Sequence, residues 1–125
     1  SEAANPTARL EGHVTEEEAR AIYEQKYVKP FLGIQDPKLL NQLVDWGVTS
    51  GPSLVVEKLQ DILHVNVDGL LGPITLAAAN SAEPRGLNNQ VAVARILMIG
   101  RIVHRDPKQS KFLNGWLNRA SQWIF

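Results

Sequence analysis

The side chains that most often hold metals or act as nucleophiles are few in this sequence and far apart. His13, His64 and His104 have no carboxylate or cysteine at a spacing typical of metal ligands, and the chain contains no cysteine. Asp68 precedes a glycine, but the loop around it lacks the alternating oxygen ligands of a calcium loop. No Gly-x-Ser-x-Gly elbow marks a nucleophilic serine. We therefore predict neither a metal site nor a bound cofactor.

A helix, a tight turn and a second helix are predicted over residues 59–80. Apolar residues three and four apart end one helical run at Leu63. Asp68-Gly69 is a strong turn pair because aspartate tolerates, and glycine prefers, a positive φ. In Gly72-Pro73 the proline suits the first position of a new helix, where its missing N–H loses no hydrogen bond. The turn is therefore expected to hold the two helices together.

Helix starts recur along the rest of the chain. Thr15 and Glu18 have the spacing of a capping box, and Asp36-Pro37 and Gly51-Pro52 place a proline in a first helical turn. Gly47 is predicted to end the second helix, so that residues 45–50 form a break. The predicted helices cover residues 15–27, 37–46, 52–63, 73–80, 87–104 and 109–124.

The apolar pattern of these helices predicts an all-α fold, a compact bundle of about six short helices. No segment alternates between apolar and polar residues in the manner of a strand. The first helix is expected to bury Ala19, Ile22, Tyr23 and Tyr27. The helix over residues 87–104 is apolar on most faces, which predicts that it is largely enclosed. Trp116 and Trp123 lie two turns apart and are expected to cover it.

Composition excludes several classes of protein. The 125 residues are sufficient for one domain, with 44% hydrophobic and 21% charged residues. Thirteen basic and 13 acidic residues give zero net charge, so neither nucleic acid nor an anionic membrane is an expected partner. Residues 1–13 have no signal-peptide pattern and are predicted to be flexible, and residues 14–125 are predicted to form the helical domain. The oligomeric state stays open.

Three motifs in the second half of the chain carry a resemblance to a known family. Leu59-Gln60, Asp68-Gly69 and Gly72-Pro73-Ile74-Thr75 are similar to the LQ…DG…GP.T pattern of predicted peptidoglycan-binding domains, and they lie between Asp45-Trp46-Gly47 and Phe112 to Ala120. In this order, from about Val14 onward, the motifs resemble the C-terminal part of the N-acetylmuramidases of glycoside hydrolase family 108. The resemblance implies a lysozyme-like C-terminal lobe that binds peptidoglycan glycan at the cell wall or in the periplasm.

The resembled family has its catalytic acid in a Glu-Gly-Gly-Tyr segment. Glu11-Gly12 is followed here by His13 and Val14, so the resemblance implies a peptidoglycan-binding part without the catalytic glutamate. Two alternatives stay open. The chain is an active muramidase that uses Glu11 or Glu57, or it is a non-enzymatic interaction domain that docks through its C-terminal tryptophans.

The same resemblance places candidate substrate-binding residues at the predicted break between the second and third helices. They are Asp45, Trp46, Thr49 and Ser50. Free helix-end N–H groups and hydroxyls suit sugar hydroxyls, and a partly exposed indole is a natural platform for a sugar ring. The alternative is that Asp45 and Thr49 cap helices and that Trp46 packs in the core.

Overall fold

A computed structural model describes residues 15–124 and confirms the all-α prediction. No strand occurs among these residues. The six α-helices of this part of the chain are α1 (Glu16–Tyr23), α2 (Pro37–Ser50), α3 (Pro52–Leu63), α4 (Pro73–Ser81), α5 (Pro84–Arg105) and α6 (Leu113–Ser121). A π-helical turn (Glu24–Val28) and a 3-10 turn (Lys29–Phe31) follow α1, and a second 3-10 segment (Pro107–Phe112) precedes α6. The segment 1–13, which was predicted to be flexible, lies outside the described residues.

Local capping chemistry sets the starts of α1 to α4 as predicted, whereas α5 begins at Pro84 and α6 at Leu113 rather than at the predicted residues 87 and 109. Thr15 Oγ1 accepts a hydrogen bond from the Glu18 backbone N–H at 3.0 Å, and Glu18 Oε1 accepts one from the Thr15 N–H at 3.3 Å. Asp36 Oδ2 accepts from the Leu39 N–H at 3.2 Å. Four consecutive helices, α2 to α5, begin with proline. Proline suits this position because a backbone N–H in the first turn of a helix has no partner within the helix, and proline has no N–H to leave unpaired.

The core lies where α2 packs on α3 and α5, and α6 packs on α5. Its largest fully buried apolar side chains are Phe31, Leu39, Leu43, Trp46, Val55, Leu59, Leu87 and Val91. A polar bridge crosses this core. Gln42 Nε2 of α2 donates to Asn88 Oδ1 of α5 at 2.9 Å, and Asn88 Nδ2 donates to Asp36 Oδ2 at 2.7 Å. Because both amides are buried, this bridge fixes α2 against the start of α5.

Two sequence predictions about apolar faces are wrong. In α1, Ala19, Ile22 and Tyr23 are exposed, and this helix buries none of its residues. Tyr27 and Val28, in the π-helical turn that follows, are half-buried against the core, and Phe31 is the first fully buried residue of the described chain. In α5, one face is buried, but Val93 and Leu97 on the other face are exposed. The long helix is therefore covered on one side and open on the other.

The predicted break at residues 45–50 is also wrong. Helix α2 continues through Gly47 to Ser50 and ends at Gly51, whose φ is +89°. Gly47 is needed for space: a Cβ there would lie 3.2 Å from Phe31 Cε2. Asp45, Trp46, Thr49 and Ser50 therefore occupy the last two turns of one helix, where free carbonyls rather than N–H groups are presented.

The turn between α3 and α4 gives a first testable prediction. Gly69 has a φ of +77°, which strains any residue with a Cβ, whereas Gly100 is helical with open space around its Cα. We expect Gly69→Ala to lower the free energy of unfolding by about 1 kcal/mol. Gly100→Ala, the matched control, should raise it by up to about 1 kcal/mol. Urea unfolding measures both, and equal effects of the two substitutions would contradict this account of the turn.

Candidate functional site

Gln60 is the centre of the turn that carries the LQ…DG…GP.T motif. Its amide Nε2 donates to Asp68 Oδ1 at 2.8 Å, to the Leu70 carbonyl at 2.9 Å and to Thr75 Oγ1 at 3.1 Å. Its Oε1 accepts from the backbone N–H groups of Asp68 and Gly69, both at 3.0 Å. Gln60 is 1% exposed, so one buried amide holds the end of α3, the turn and the start of α4 together.

Asp68 has a structural role in this turn. The hydrogen bond from Gln60, followed by the bond from the Leu70 N–H, lowers the pKa of its carboxyl group. Both bonds favour the charged carboxylate, and both join segments of the turn itself. The most recognisable motif of the sequence therefore builds the scaffold.

A cavity of about 80 Å³ lies between α2, α5 and α6. Trp46, Thr49 and Ser50 line it from α2 and Trp116 lines it from α6, so three of the four predicted substrate-binding residues meet there. The α5 wall consists of Arg95, Met98, Ile99 and Ile102. The site thus combines two indoles, two hydroxyls and an apolar wall with one buried cation.

Asp45, the fourth predicted residue, joins the three helices at the edge of this cavity. Its carboxylate accepts from Arg95 Nη1 of α5 and from Arg119 Nη2 of α6, both at 2.7 Å. Burial raises the pKa of Asp45, but the hydrogen bonds and charges of Arg119 and Arg95 outweigh it, and the net pKa is lowered. Two guanidinium groups against one carboxylate leave the cluster with an excess positive charge.

The expectation of a partly exposed indole at Trp46 is wrong. Trp46 is 0% exposed because Leu39, Leu43 and Trp46 follow one another at helical spacing along the buried stripe of α2. Its indole N–H is buried without an acceptor. Thr49 Oγ1 donates to the Trp46 carbonyl at 2.9 Å and therefore does not cap α3. Trp46 contributes a wall of the cavity and no open stacking surface.

The sequence of residues 55–121 matches the model of the "Predicted Peptidoglycan domain" family. This match covers more than half of the chain. The chain belongs to the Predicted Peptidoglycan domain family. Membership supports a cell-wall-binding role with peptidoglycan as partner. No curated protein sequence matches the chain.

A solved structure resembles this Predicted Peptidoglycan domain over almost its whole length. SagA of Brucella abortus superimposes with a TM-score of 0.76 at 25% sequence identity, over 94% of this chain and 71% of the SagA chain. The likeness extends beyond the family match to the N-terminal helices. Asp45, Trp46, Thr49 and Ser50 precede residue 55, so the candidate site joins α2 to the matched part of the domain.

The remaining chemical candidates of the sequence lie elsewhere in the domain. Glu57 is exposed on α3, where its carboxylate faces the turn at Gly69. His64 is exposed in a left-handed conformation at the end of α3. Trp123 is half-buried after α6, and Glu11 lies outside the described residues.

Within residues 15–124, no three or more histidine or carboxylate side chains are grouped to hold a metal, and no helix is long and apolar enough to cross a membrane.

Sequence reasoning missed Arg95, Trp116 and Arg119 as members of the site. One signal pointed to Arg95, namely a cation in the middle of an apolar helix, which requires a partner. Trp116 was expected to cover the helix over residues 87–104 or to dock a partner, and no prediction placed it in a sugar-binding site. Arg119 is 74 residues from Asp45 in sequence, and no local pattern joins them.

Proposed function

We propose that this domain binds the glycan of peptidoglycan at the cavity between α2, α5 and α6. The observation that carries the proposal is the convergence of Trp46, Thr49, Ser50 and Trp116 beside the Asp45 ion-pair cluster in a family whose partner is peptidoglycan. Hydroxyls and a carboxylate suit sugar hydroxyls, and indoles suit the apolar edges of a sugar.

The size of the cavity limits what enters it. At about 80 Å³ it has room for a sugar substituent but not for a whole ring, since one water takes roughly 30 Å³. An acetamido group is such a substituent, and both sugars of peptidoglycan carry one. Its carbonyl would supply an acceptor for the buried indole N–H of Trp46. The sugar ring itself would lie outside, against the exposed part of Trp116.

We further propose that this peptidoglycan-binding domain is part of an N-acetylmuramidase and that it works at the cell wall or in the periplasm. The resemblance to glycoside hydrolase family 108 supports it. A wall-clearing assay separates this proposal from the active-muramidase alternative. We expect retention on purified walls without clearing, whereas clearing that Glu11→Gln or Glu57→Gln abolishes would establish the chain as the hydrolase.

Filling the cavity tests the binding site directly. Ser50 lines the cavity, and Ser53, on the exposed side of α3, does not. We expect Ser50→Met to weaken co-sedimentation with purified peptidoglycan by about tenfold, the loss of roughly 1.4 kcal/mol of binding free energy. Ser53→Met, the matched control, should bind like the wild type. Equal binding by the two variants, with equal melting temperatures, would contradict a role for the cavity.

A further inference from the structure

The zero net charge of the chain conceals a strong separation of charge along it. Residues 1–83 contain twelve acidic and six arginine or lysine side chains, whereas residues 84–125 contain one acidic and seven. The one acidic residue, Asp106, caps the 3-10 segment after α5. The C-terminal third of the chain is therefore strongly basic, although the chain as a whole is neutral.

Part of this positive charge lines a groove on the open face of α5. The groove has a volume of about 520 Å³ and is formed by Leu97, Gly100, Arg101, His104 and Arg105. Positions 101, 104 and 105 follow position 97 by four, seven and eight residues, so all four lie on one side of the helix. Leu97, 54% exposed, gives the groove an apolar floor.

The two arginines of this groove have no acidic partner in residues 15–124. Arg20, Arg95 and Arg119 form ion pairs, whereas neither Arg101 nor Arg105 forms one within residues 15–124. Both are exposed, and exposed Lys108 and Lys111 follow in the adjoining 3-10 segment. Core packing does not require a cluster of like charges beside exposed apolar surface. This combination therefore indicates a surface that binds an anionic partner.

We infer that the groove on α5 binds the stem peptides of peptidoglycan through their free carboxylates. The inference rests on the proposed function, because it takes peptidoglycan as the partner and assigns a second part of that polymer to a second site. Guanidinium groups bind carboxylates with two parallel hydrogen bonds, so Arg101 and Arg105 would hold these anions. Leu97 and Gly100 would accommodate the peptide between them.

Co-sedimentation tests this inference, because the carboxylates of peptidoglycan and the two arginines of the protein can each be neutralised separately. One preparation of purified peptidoglycan is used as it is, and a second has its free carboxylates converted to amides. We expect the wild type to bind the amidated form about tenfold more weakly, a loss in keeping with two exposed ion pairs. Arg101→Gln/Arg105→Gln should bind the native form about tenfold more weakly and lose nothing further on amidation. Lys26→Gln/Lys29→Gln, two exposed cations outside the basic third, should behave like the wild type.

The outcomes separate this inference from the proposed function. If Arg101→Gln/Arg105→Gln binds both forms as tightly as the wild type, the stem-peptide site is overturned while the cavity proposal stands. If the substitutions weaken binding only to duplex DNA or to anionic lipid vesicles, the site is likewise overturned. If the wild type fails to bind either form, both proposals fall. Ser50→Met should weaken binding to both forms equally and keep the effect of amidation.

Discussion

Replacing Asp45 by asparagine should lower the free energy of unfolding by about 3 kcal/mol, at the lower end of the effect of breaking a buried ion pair. The side chain of Arg95 is 4% exposed, and Asp45 is its acidic partner at 2.7 Å. An asparagine amide has no charge with which to neutralise this buried cation. The same substitution also removes the ion pair that joins α6 to α2 through Arg119.

The loss should depend on pH in a defined direction. The pKa of Asp45 is lower in the folded protein than the ordinary value, so the carboxylate stabilises the fold above the unfolded pKa of about 4. This contribution disappears as the pH falls through the lower folded pKa. Urea unfolding should therefore show a large difference between wild type and Asp45→Asn at neutral pH and a small one in strong acid.

A matched control for this prediction is Asp61→Asn, because Asp61 is an exposed aspartate on α3. We expect it to leave the free energy of unfolding at neutral pH within about 0.5 kcal/mol of the wild-type value. If Asp45→Asn were equally harmless at neutral pH, Asp45 would not be the residue that neutralises Arg95.

The second large effect is expected at the turn between α3 and α4. Gln60→Leu should lower the free energy of unfolding by about 3 kcal/mol, because it leaves several polar groups without partners at roughly 1–3 kcal/mol each. These groups include the N–H groups of Asp68 and Gly69 and the hydroxyl of Thr75. The backbone amides of the two turn residues should also exchange hydrogen faster.

The control for Gln60→Leu is the same substitution at an exposed helical glutamine, Gln90 of α5. Gln90→Leu should change the free energy of unfolding by less than about 0.5 kcal/mol. Similar losses in the two variants, or unchanged exchange at Asp68 and Gly69, would show that Gln60 does not hold the turn.

Much of the fold was predictable because helix starts depend on neighbouring residues. Prolines and capping side chains act within one turn, so Pro37, Pro52 and Pro73 were located correctly. The end of α2 was not, because a glycine serves equally to end a helix or to admit a distant side chain. Gly47 has the second use, and its neighbour Phe31 belongs to another part of the chain.

The site was predictable only where it lies on one helix. The family resemblance placed Thr49 and Ser50 at a predicted break after the second helix, whereas the structure places both on α2, where they line the cavity. Arg95 is 50 residues from Asp45 in sequence, and its pairing depends on how α5 packs across α2. The basic groove was missed for a different reason. A net charge summed over the whole chain hides the difference between its two parts.

The central claim, that peptidoglycan glycan occupies the cavity between α2, α5 and α6, is tested most directly by nuclear magnetic resonance of the indole N–H groups. The chain has three tryptophans, of which Trp46 and Trp116 line the cavity and Trp123 does not. On addition of soluble peptidoglycan fragments, we expect the resonances of Trp46 and Trp116 to shift while that of Trp123 stays in place. Shifts elsewhere in the protein with all three indoles unmoved would contradict the claim.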